Sequence, residues 1–492
     1  PLIAQTGVEF FEVGFVKPCE FNIDRTVYPD IKSMASVIAP KQPGVDYVAM
    51  IDMSNPISKD DIPKYDGTSV DAIRVIFKES NMDMGYDYCK HCIDMGYKTF
   101  VQFVGTDTYS DKALIDAVER FNEIEPFAMS VVDSFGMIKK KDFLRMVSIM
   151  DNNMRPEIGF GYHAHNNLQL AMSNAQALIE MNLERNVLVD ASVFGMGRGS
   201  GNLNLELFAE YLNEERGKHY RIEPILEIMD RYLNHIYETR FWGYSLPLYL
   251  SASNGAHPNY AIYLAKKDTL SEKSFNELLK SIPEPDRHNF SKDKAEKYYA
   301  EYMENYVDDS ETISSLKNAF EGRNILVLAP GASLKKCQDS INRYIKENTP
   351  VVVSLNFIPD DYKVDYIFSS NMRRYAHIQD MNGVSKIITS NIRDAKNYDC
   401  ILNFSSYSNE NSLIIDNSGL MLFKALLSIG KKKIAVAGMD GYTVSESDNY
   451  YNLAFEYSFP DMVERNNLIR SEINKINDVM KIDFITPSKY QD

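Results

Sequence analysis

The sequence predicts an α/β protein: a (β/α)8 barrel, then a helical extension, then a Rossmann-like, doubly wound α/β domain. Three observations lead there. From residue 10 to 194 one unit repeats, a short apolar run, a turn and a helical stretch. Polar residues gather where those runs end. After about residue 323 a second alternation of the same kind begins. Near-continuous apolar strands alternating with helices imply parallel sheets with both faces covered.

The first series of runs is "FFEVGFV" (10–16), "YVAMIDM" (47–53), "AIRVIF" (72–77), "TFVQFVG" (99–105), "FAMSVVDS" (127–134), "EIGFGYHAH" (157–165) and "VLVDASVF" (187–194). Between them lie stretches of helical period such as "SDKALIDAVERFNEI" and "NNLQLAMSNAQALIEM". Glu12, Asp52, Gln102, Asp133, Ser134, His163, His165 and Asp190 sit at or near the strand ends. In a barrel of this class chemistry is assembled at that face from several strands. Seven runs are one short of eight, so the first strand is expected to precede residue 1. The opening "PLIAQTGVEFFEVGF" carries no basic n-region or small-residue cleavage site.

Residues 203 to about 315 lose the alternation and read as helices. The expected domains are therefore a barrel over 1–212, a helical extension over 213–320 and a Rossmann-like domain over 321–492. In the last, "NILVLAPGASL" runs a strand into a glycine turn, and "VVVSLNF", "YIFSS", "KIITS", "CILNFSS" and "KKIAVAGMDG" supply further strands. Gly331 and Ser333 sit where strand meets helix, where backbone amides and the helix dipole could hold a phosphate. The tail over 459–482 reads as an amphipathic helix.

Composition narrows the function. A net charge of −16 disfavours nucleic-acid binding through a basic face. The longest apolar runs break well short of the ~20 residues that cross a bilayer, so no membrane segment is expected. Five cysteines without framework spacing suit a reducing cytoplasm, and Cys89 and Cys92 are read as helix residues rather than a metal or redox pair.

The sharpest signal is "GYHAHNN" at 161–167, because residues two apart on a strand face the same side. His163 and His165, two of only eight histidines, would face one point. A divalent ion held there needs further donors, and Asn202, closing the glycine-rich loop "GMGRGSGN" (195–202), is the next candidate.

Together with "VVDSFG" (131–136), these motifs resemble the DRE-TIM metallolyases, the superfamily that includes HMG-CoA lyase, and within it the 4-hydroxy-2-oxovalerate aldolase branch. The likeness covers about residues 1–275. It implies a Mn²⁺ or Mg²⁺ enzyme with His163, His165 and Asn202 as metal ligands and Ser134 against the pyruvate carboxylate. It implies as substrates a small 2-oxo acid and an aldehyde, in a homodimer or larger homo-oligomer. The family's Thr-Leu-Arg-Asp-Gly segment, which supplies an Asp ligand and an Arg, has no counterpart in this sequence.

Arg74 is a candidate anion contact, or else an arginine paired to a carboxylate inside the barrel. Tyr260, in "HPNYAIYLAKK", is a candidate for the barrel mouth, or else a packed aromatic. Two other readings keep the barrel: a Claisen-type enzyme acting on acyl-CoA, and a catalytically incomplete scaffold.

The stretch 417–442 resembles Rossmann-like domains of bacterial sialyltransferase-like and pterin-pyrophosphokinase-like proteins from surface-polysaccharide loci. That likeness implies a nucleotide or nucleotide-sugar pocket lined by Gly331, Ser333, Asn356, Asn371, Ser418, Gly419 and Asp440, and a place in acidic-sugar metabolism. A domain that only stabilises a dimer is the alternative.

Overall fold

The structure is a computed structural model that describes residues 2–443 and 461–491. It comprises two compact units, Pro1–Pro258 and Asn259–Asp492.

The first unit is built on one all-parallel sheet of eight strands. They are β1 (Phe10–Val16), β2 (Val27–Tyr28), β3 (Asp46–Asp52), β4 (Ala72–Phe77), β5 (Lys98–Val104), β6 (Ala128–Asp133), β7 (Gly159–Ala164) and β8 (Val187–Val189). Seven of these are the predicted runs. The eighth, β2, is two residues long and pairs with β1 on the side away from β3, giving the order β2-β1-β3-β4-β5-β6-β7-β8.

The covering helices follow from local sequence. In Asp111–Asn122, Ser110 caps the start by accepting from the Ala113 amide at 3.1 Å, satisfying a donor the helix itself cannot. Leu114, Ala117, Val118 and Phe121 then fall on one buried stripe. Phe121 stacks on Phe77 of β4 at 5.4 Å between ring centroids, and truncating such a ring costs about 3–5 kcal/mol.

The period-2 geometry of the strands layers the interior. Phe10, Val48, Ala72, Phe100, Ala128 and Leu188 form an apolar plug, in which Phe10 meets Phe100 edge-on at 5.3 Å. Two residues further along β1, β4, β5 and β6, and just past β8, the same inward positions carry Glu12, Arg74, Gln102, Ser130 and Asp190. A polar layer thus lies directly above the plug, and it places the chemistry.

The second unit carries a seven-stranded parallel sheet. Its strands are β9 (Ile325–Leu328), β10 (Val351–Leu355), β11 (Tyr366–Ser369), β12 (Ser385–Thr389), β13 (Cys400–Leu402), β14 (Lys433–Ala437) and β15 (Lys481–Phe484). The order β13-β12-β11-β10-β9-β14-β15 reverses direction at β9, which is the doubly wound arrangement expected. The tail helix runs Met462–Asn477; residues 459 and 460 of the predicted stretch lie outside the described residues.

The helical region is distributed differently from the expectation. A boundary at 212 falls inside the helix Leu205–Arg216. The predicted extension over 213–320 is shared, helices up to Leu246–Ser253 belonging to the first unit and those from Glu272–Ser281 to the second. Helical periodicity marks helices but not which core they cover. Among the described residues no helix is long and apolar enough to cross a membrane. Cys89 and Cys92 are buried free thiols, and burial pushes both up, Cys92 to about 12, as suits packed rather than reactive side chains.

Candidate active site

Above the polar layer, β7 brings its two histidines into one corner. The His163 and His165 rings lie 5.5 Å apart between centroids, at 80° to each other. The glycine-rich loop is sewn onto the same strand end. Asn166 donates its amide to the Gly201 carbonyl at 3.0 Å, and His165 and Asn202 form an antiparallel bridge. Gly201 makes that loop feasible: its φ is +77°, and a Cβ there would meet the Gly195 carbonyl oxygen at 2.2 Å.

Asn202 is thereby held beside the histidines. Its Nδ2 donates to the Met196 carbonyl at 3.2 Å, which fixes the amide's orientation and leaves Oδ1 buried with no hydrogen-bond partner. A buried acceptor without a donor is costly unless something else satisfies it.

The histidines are prepared as ligands in different ways. Nδ1 of His163 lies 3.0 Å from Asp190 Oδ2, so an Nδ1 proton donated to that carboxylate would orient the ring with Nε2 turned away from it. Burial, then the neighbouring His163, depress His165 to about 4, against hydrogen bonding to the backbone of Gly201 and Arg198, so its ring is neutral near pH 7. The two imidazoles and the partnerless Asn202 Oδ1 thus belong to one strand end.

Behind them Arg74 bridges two carboxylates. Its Nη1 donates to Glu12 Oε2 at 2.8 Å, and its Nη2 to Asp190 Oδ2 and, at 3.1 Å, to Gln102 Oε1. Gln102 in turn donates to Ser130 Oγ at 2.8 Å. Gly161, the β7 residue facing this layer, has no room for a side chain, since a Cβ would lie 2.0 Å from Ser130 Oγ. Burial alone would raise Asp190, but Arg74 and His163 outweigh it and hold the carboxyl at about 2. Glu12, on the same guanidinium, moves the other way, because burial and the Asp190 charge outweigh Arg74. The guanidinium therefore keeps Asp190 ionised as the acceptor for His163. Arg74 is committed to the protein's own carboxylates, which corrects its assignment as a substrate-anion contact.

Ser134 follows Asp133, whose β6 register places it opposite Ala164 of β7. The Ser134 Oγ accepts from the Gly105 amide at 2.9 Å, so the hydroxyl keeps its own proton to donate. Asp133 is buried and receives the Met137 and Ile138 amides at 2.9 and 3.0 Å, shaping the loop that carries Ser134. Asp52 caps its own turn through the Ser54 amide.

Tyr260 is corrected outright. It is fully buried in the second unit, with its ring edge-on to Phe290 at 5.1 Å and its hydroxyl 3.3 Å from the Asp286 and Asn289 carbonyls. The residue of that segment which reaches the barrel mouth is His257, whose ring packs on Phe135 at 4.8 Å. Sequence reasoning missed it, as it missed the pairing of Asp190 with His163. The signal for Asp190 was present, an acidic residue closing an apolar strand.

Among the described residues no three His, Cys, Asp or Glu side chains are grouped to hold a metal. The candidate centre rests instead on two histidines and an asparagine.

In the second unit the predicted residues separate. Gly331, Asn356, Asn371, Ser418, Gly419 and Asp440 line one cleft. Ser333 does not, and its amide donates to Asp440 Oδ2 at 2.8 Å while its hydroxyl donates to Oδ1. The protein's own carboxylate takes the amide proposed for a phosphate, and the helix there, Ser333–Lys336, is a single turn. The Gly331–Ser333 phosphate cradle is therefore corrected.

Residues 70–230 match the family model described as HMGL-like. A 4-hydroxy-2-oxovalerate aldolase of Spirochaeta aurantia is 31% identical over 156 residues, which is 32% of this chain and 44% of that protein. Another of that name, from Shewanella woodyi, is 25% identical over 213 residues, 42% of this chain and 58% of its own. The chain thus spans about half the length of these relatives. A solved hydroxymethylglutaryl-CoA lyase from Pseudomonas aeruginosa superposes with a TM-score of 0.38 at 16% identity, covering 48% of this chain and 83% of that one. Over residues 70–230 the first unit is thus similar to HMGL-like domains, and the relatives it matches are named 4-hydroxy-2-oxovalerate aldolases.

Proposed function

We propose that the barrel is a divalent-metal-dependent aldolase that cleaves, or forms, a 4-hydroxy-2-oxo acid from pyruvate and an aldehyde. The observation that carries this is the placing of His163, His165 and the partnerless Asn202 Oδ1 at one strand end, with Asp190 beside His163. The relatives named as 4-hydroxy-2-oxovalerate aldolases support it.

His163, His165 and Asn202 would hold the cation. Two nitrogens and one oxygen suit Mn²⁺ better than the oxygen-seeking Mg²⁺. Once bound, such an ion acts as a Lewis acid toward the 2-oxo acid and stabilises the charge that carbon–carbon cleavage leaves on the enolate oxygen. Asp190 keeps the His163 Nδ1 proton in place, and so keeps Nε2 a donor. Arg74 keeps Asp190 ionised. Ser134, held through its acceptor side by Gly105, turns its proton toward the pyruvate carboxylate and orients it. Linkage to acidic-sugar or surface-polysaccharide chemistry, and assembly as a homo-oligomer, belong to this proposal as well.

The test is pyruvate release from 4-hydroxy-2-oxo acids by the full chain with Mn²⁺. The expected result is turnover that disappears on chelation and returns with Mn²⁺. Thiol release from an acyl-CoA, without pyruvate release from any hydroxy-oxo acid, would overturn the aldolase reading in favour of Claisen-type chemistry.

A further inference from the structure

Asn202 is held beside His165 by the turn on which it folds back. Its backbone amide donates to the Gly195 carbonyl at 3.0 Å, and its Nδ2 donates to the Met196 carbonyl at 3.2 Å. Gly197 closes the contact, since a Cβ there would lie 2.7 Å from Asn202 Nδ2. Whatever fixes residues 195–197 therefore fixes the Asn202 amide.

That turn follows a residue in an unfavourable conformation. Phe194 has φ +57°, a left-handed backbone that a bulky side chain adopts only where its surroundings impose it. Both of its backbone polar groups are held by side chains from other segments. Its amide donates to Glu206 Oε2 at 2.9 Å, and its carbonyl accepts from Trp242 Nε1 at 2.9 Å. Glu206 also accepts from Asn204 Nδ2 at 2.9 Å, so the helix Leu205–Arg216 anchors both ends of the loop.

Trp242 lies in the connection between the helices Asn234–Thr239 and Leu246–Ser253. Besides its bond to Phe194, it meets the loop twice more. Gly243, the next residue, donates its amide to the Gly199 carbonyl at 3.1 Å. A Cβ on Gly201 would meet Trp242 Cδ1 at 3.3 Å, so the indole edge abuts the residue before Asn202. The indole is itself buried, edge-on to Phe194 at 5.9 Å and to Tyr237 at 4.9 Å between ring centroids. An N–H on a ring packed in this way points in one direction, and it constrains the carbonyl it binds.

We infer that Trp242 is a positioning residue for the candidate cation site: by holding the Phe194 carbonyl and abutting Gly201, it fixes the loop that keeps Asn202 at the strand end of His163 and His165. The inference rests on the reading of Asn202 as a cation donor, and it adds the side chain that sets that donor's place. A donor fixed before the ion arrives spares the ordering that a mobile one would cost on binding. A connection outside the strands of the barrel thus bears on the affinity of a site it does not touch.

Trp242→Phe tests this, because it deletes the N–H and keeps a ring in the aromatic cluster. Equilibrium dialysis of the full chain should show Mn²⁺ affinity lowered by about twofold to tenfold, the weight of one neutral hydrogen bond. In an Asn202→Ala background the same substitution should change nothing further, since both act through one donor. Phe241→Ala, which removes an exposed ring packed on Tyr237, should leave the affinity at the parent value. Hydrogen exchange without metal gives an independent reading: amides of residues 195–202 should exchange about twofold to tenfold faster in Trp242→Phe, with those of β5 and β6 unchanged. Parent-like Mn²⁺ affinity in Trp242→Phe, an equal loss in the Asn202→Ala background or in Phe241→Ala, or loop exchange that is unchanged or rises together with that of β5 and β6 would each overturn the inference. A parent chain that binds no Mn²⁺ refutes the metal reading itself, whereas exchange of the loop decides the clamp without any metal.

Discussion

The mouth of the barrel and the β9 turn of the second domain carry the same kind of sequence signal, glycines and small polar residues where a strand ends, yet their polar valences are met in opposite ways. At the mouth, Asn202 Oδ1 is buried with no partner and His165 is held neutral. At the β9 turn, Asp440 already fills the amide and hydroxyl of Ser333. A glycine-rich strand end is therefore permissive rather than diagnostic. What marks a ligand position is the polar group the protein leaves unmet.

Breaking the barrel side should have the largest effect. His163→Ala removes a proposed ligand outright, so Mn²⁺ affinity and pyruvate release should fall by more than the roughly 10–100-fold that loss of a supporting residue causes. Asp190→Asn is that supporting loss: the His163 proton is no longer fixed, and activity should drop by about 10–100-fold while the ligands remain. Equilibrium dialysis with Mn²⁺ alongside turnover checks both. Equal behaviour of the two variants would erase the distinction between holding the ion and orienting its ligand.

On the second domain's side, Asp440→Asn should cost about 1–3 kcal/mol of stability, measured by denaturant unfolding, because hydrogen bonds to a charged acceptor are weakened. Barrel activity should not change.

Asp133 provides a pH-dependent comparison. Burial pushes its carboxyl from 3.8 to about 7, although backbone amides pull it back. Between those values the folded chain binds the proton that the unfolded chain has released, so this group's contribution to stability falls as pH rises from about 4 to about 7. Asp133→Asn should flatten that decline in thermal unfolding midpoints relative to the parent. The smallest effect is expected at Tyr260→Phe, at most about 1 kcal/mol for two long hydrogen bonds and no change in turnover.

The fold was legible wherever one strand buries both faces, since Val, Ile and Phe then run together, as in "AIRVIF" and "VVVSL". β2 was not, because two residues, Val27 and Tyr28, cannot display a period. Strand order was beyond reach as well, because pairing β9 with β14 joins segments a hundred residues apart. At the site, His163 and His165 could be read because both lie on one strand and their spacing fixes their side. Arg74 lies on β4, Glu12 on β1 and Asp190 just past β8, and only the folded sheet brings one guanidinium between two carboxylates so far apart in sequence. Tyr260 misled because its sequence distance from His257 is three residues, while the boundary between the two units runs between them.

The central claim, that His163, His165 and Asn202 share a divalent cation, is tested most directly by anomalous X-ray diffraction from crystals grown with Mn²⁺. The account predicts one strong anomalous peak within bonding distance of both imidazoles and of Asn202 Oδ1, absent in His163→Ala crystals. A Mn²⁺ peak bound elsewhere, or none at the histidines under saturating metal, would contradict it.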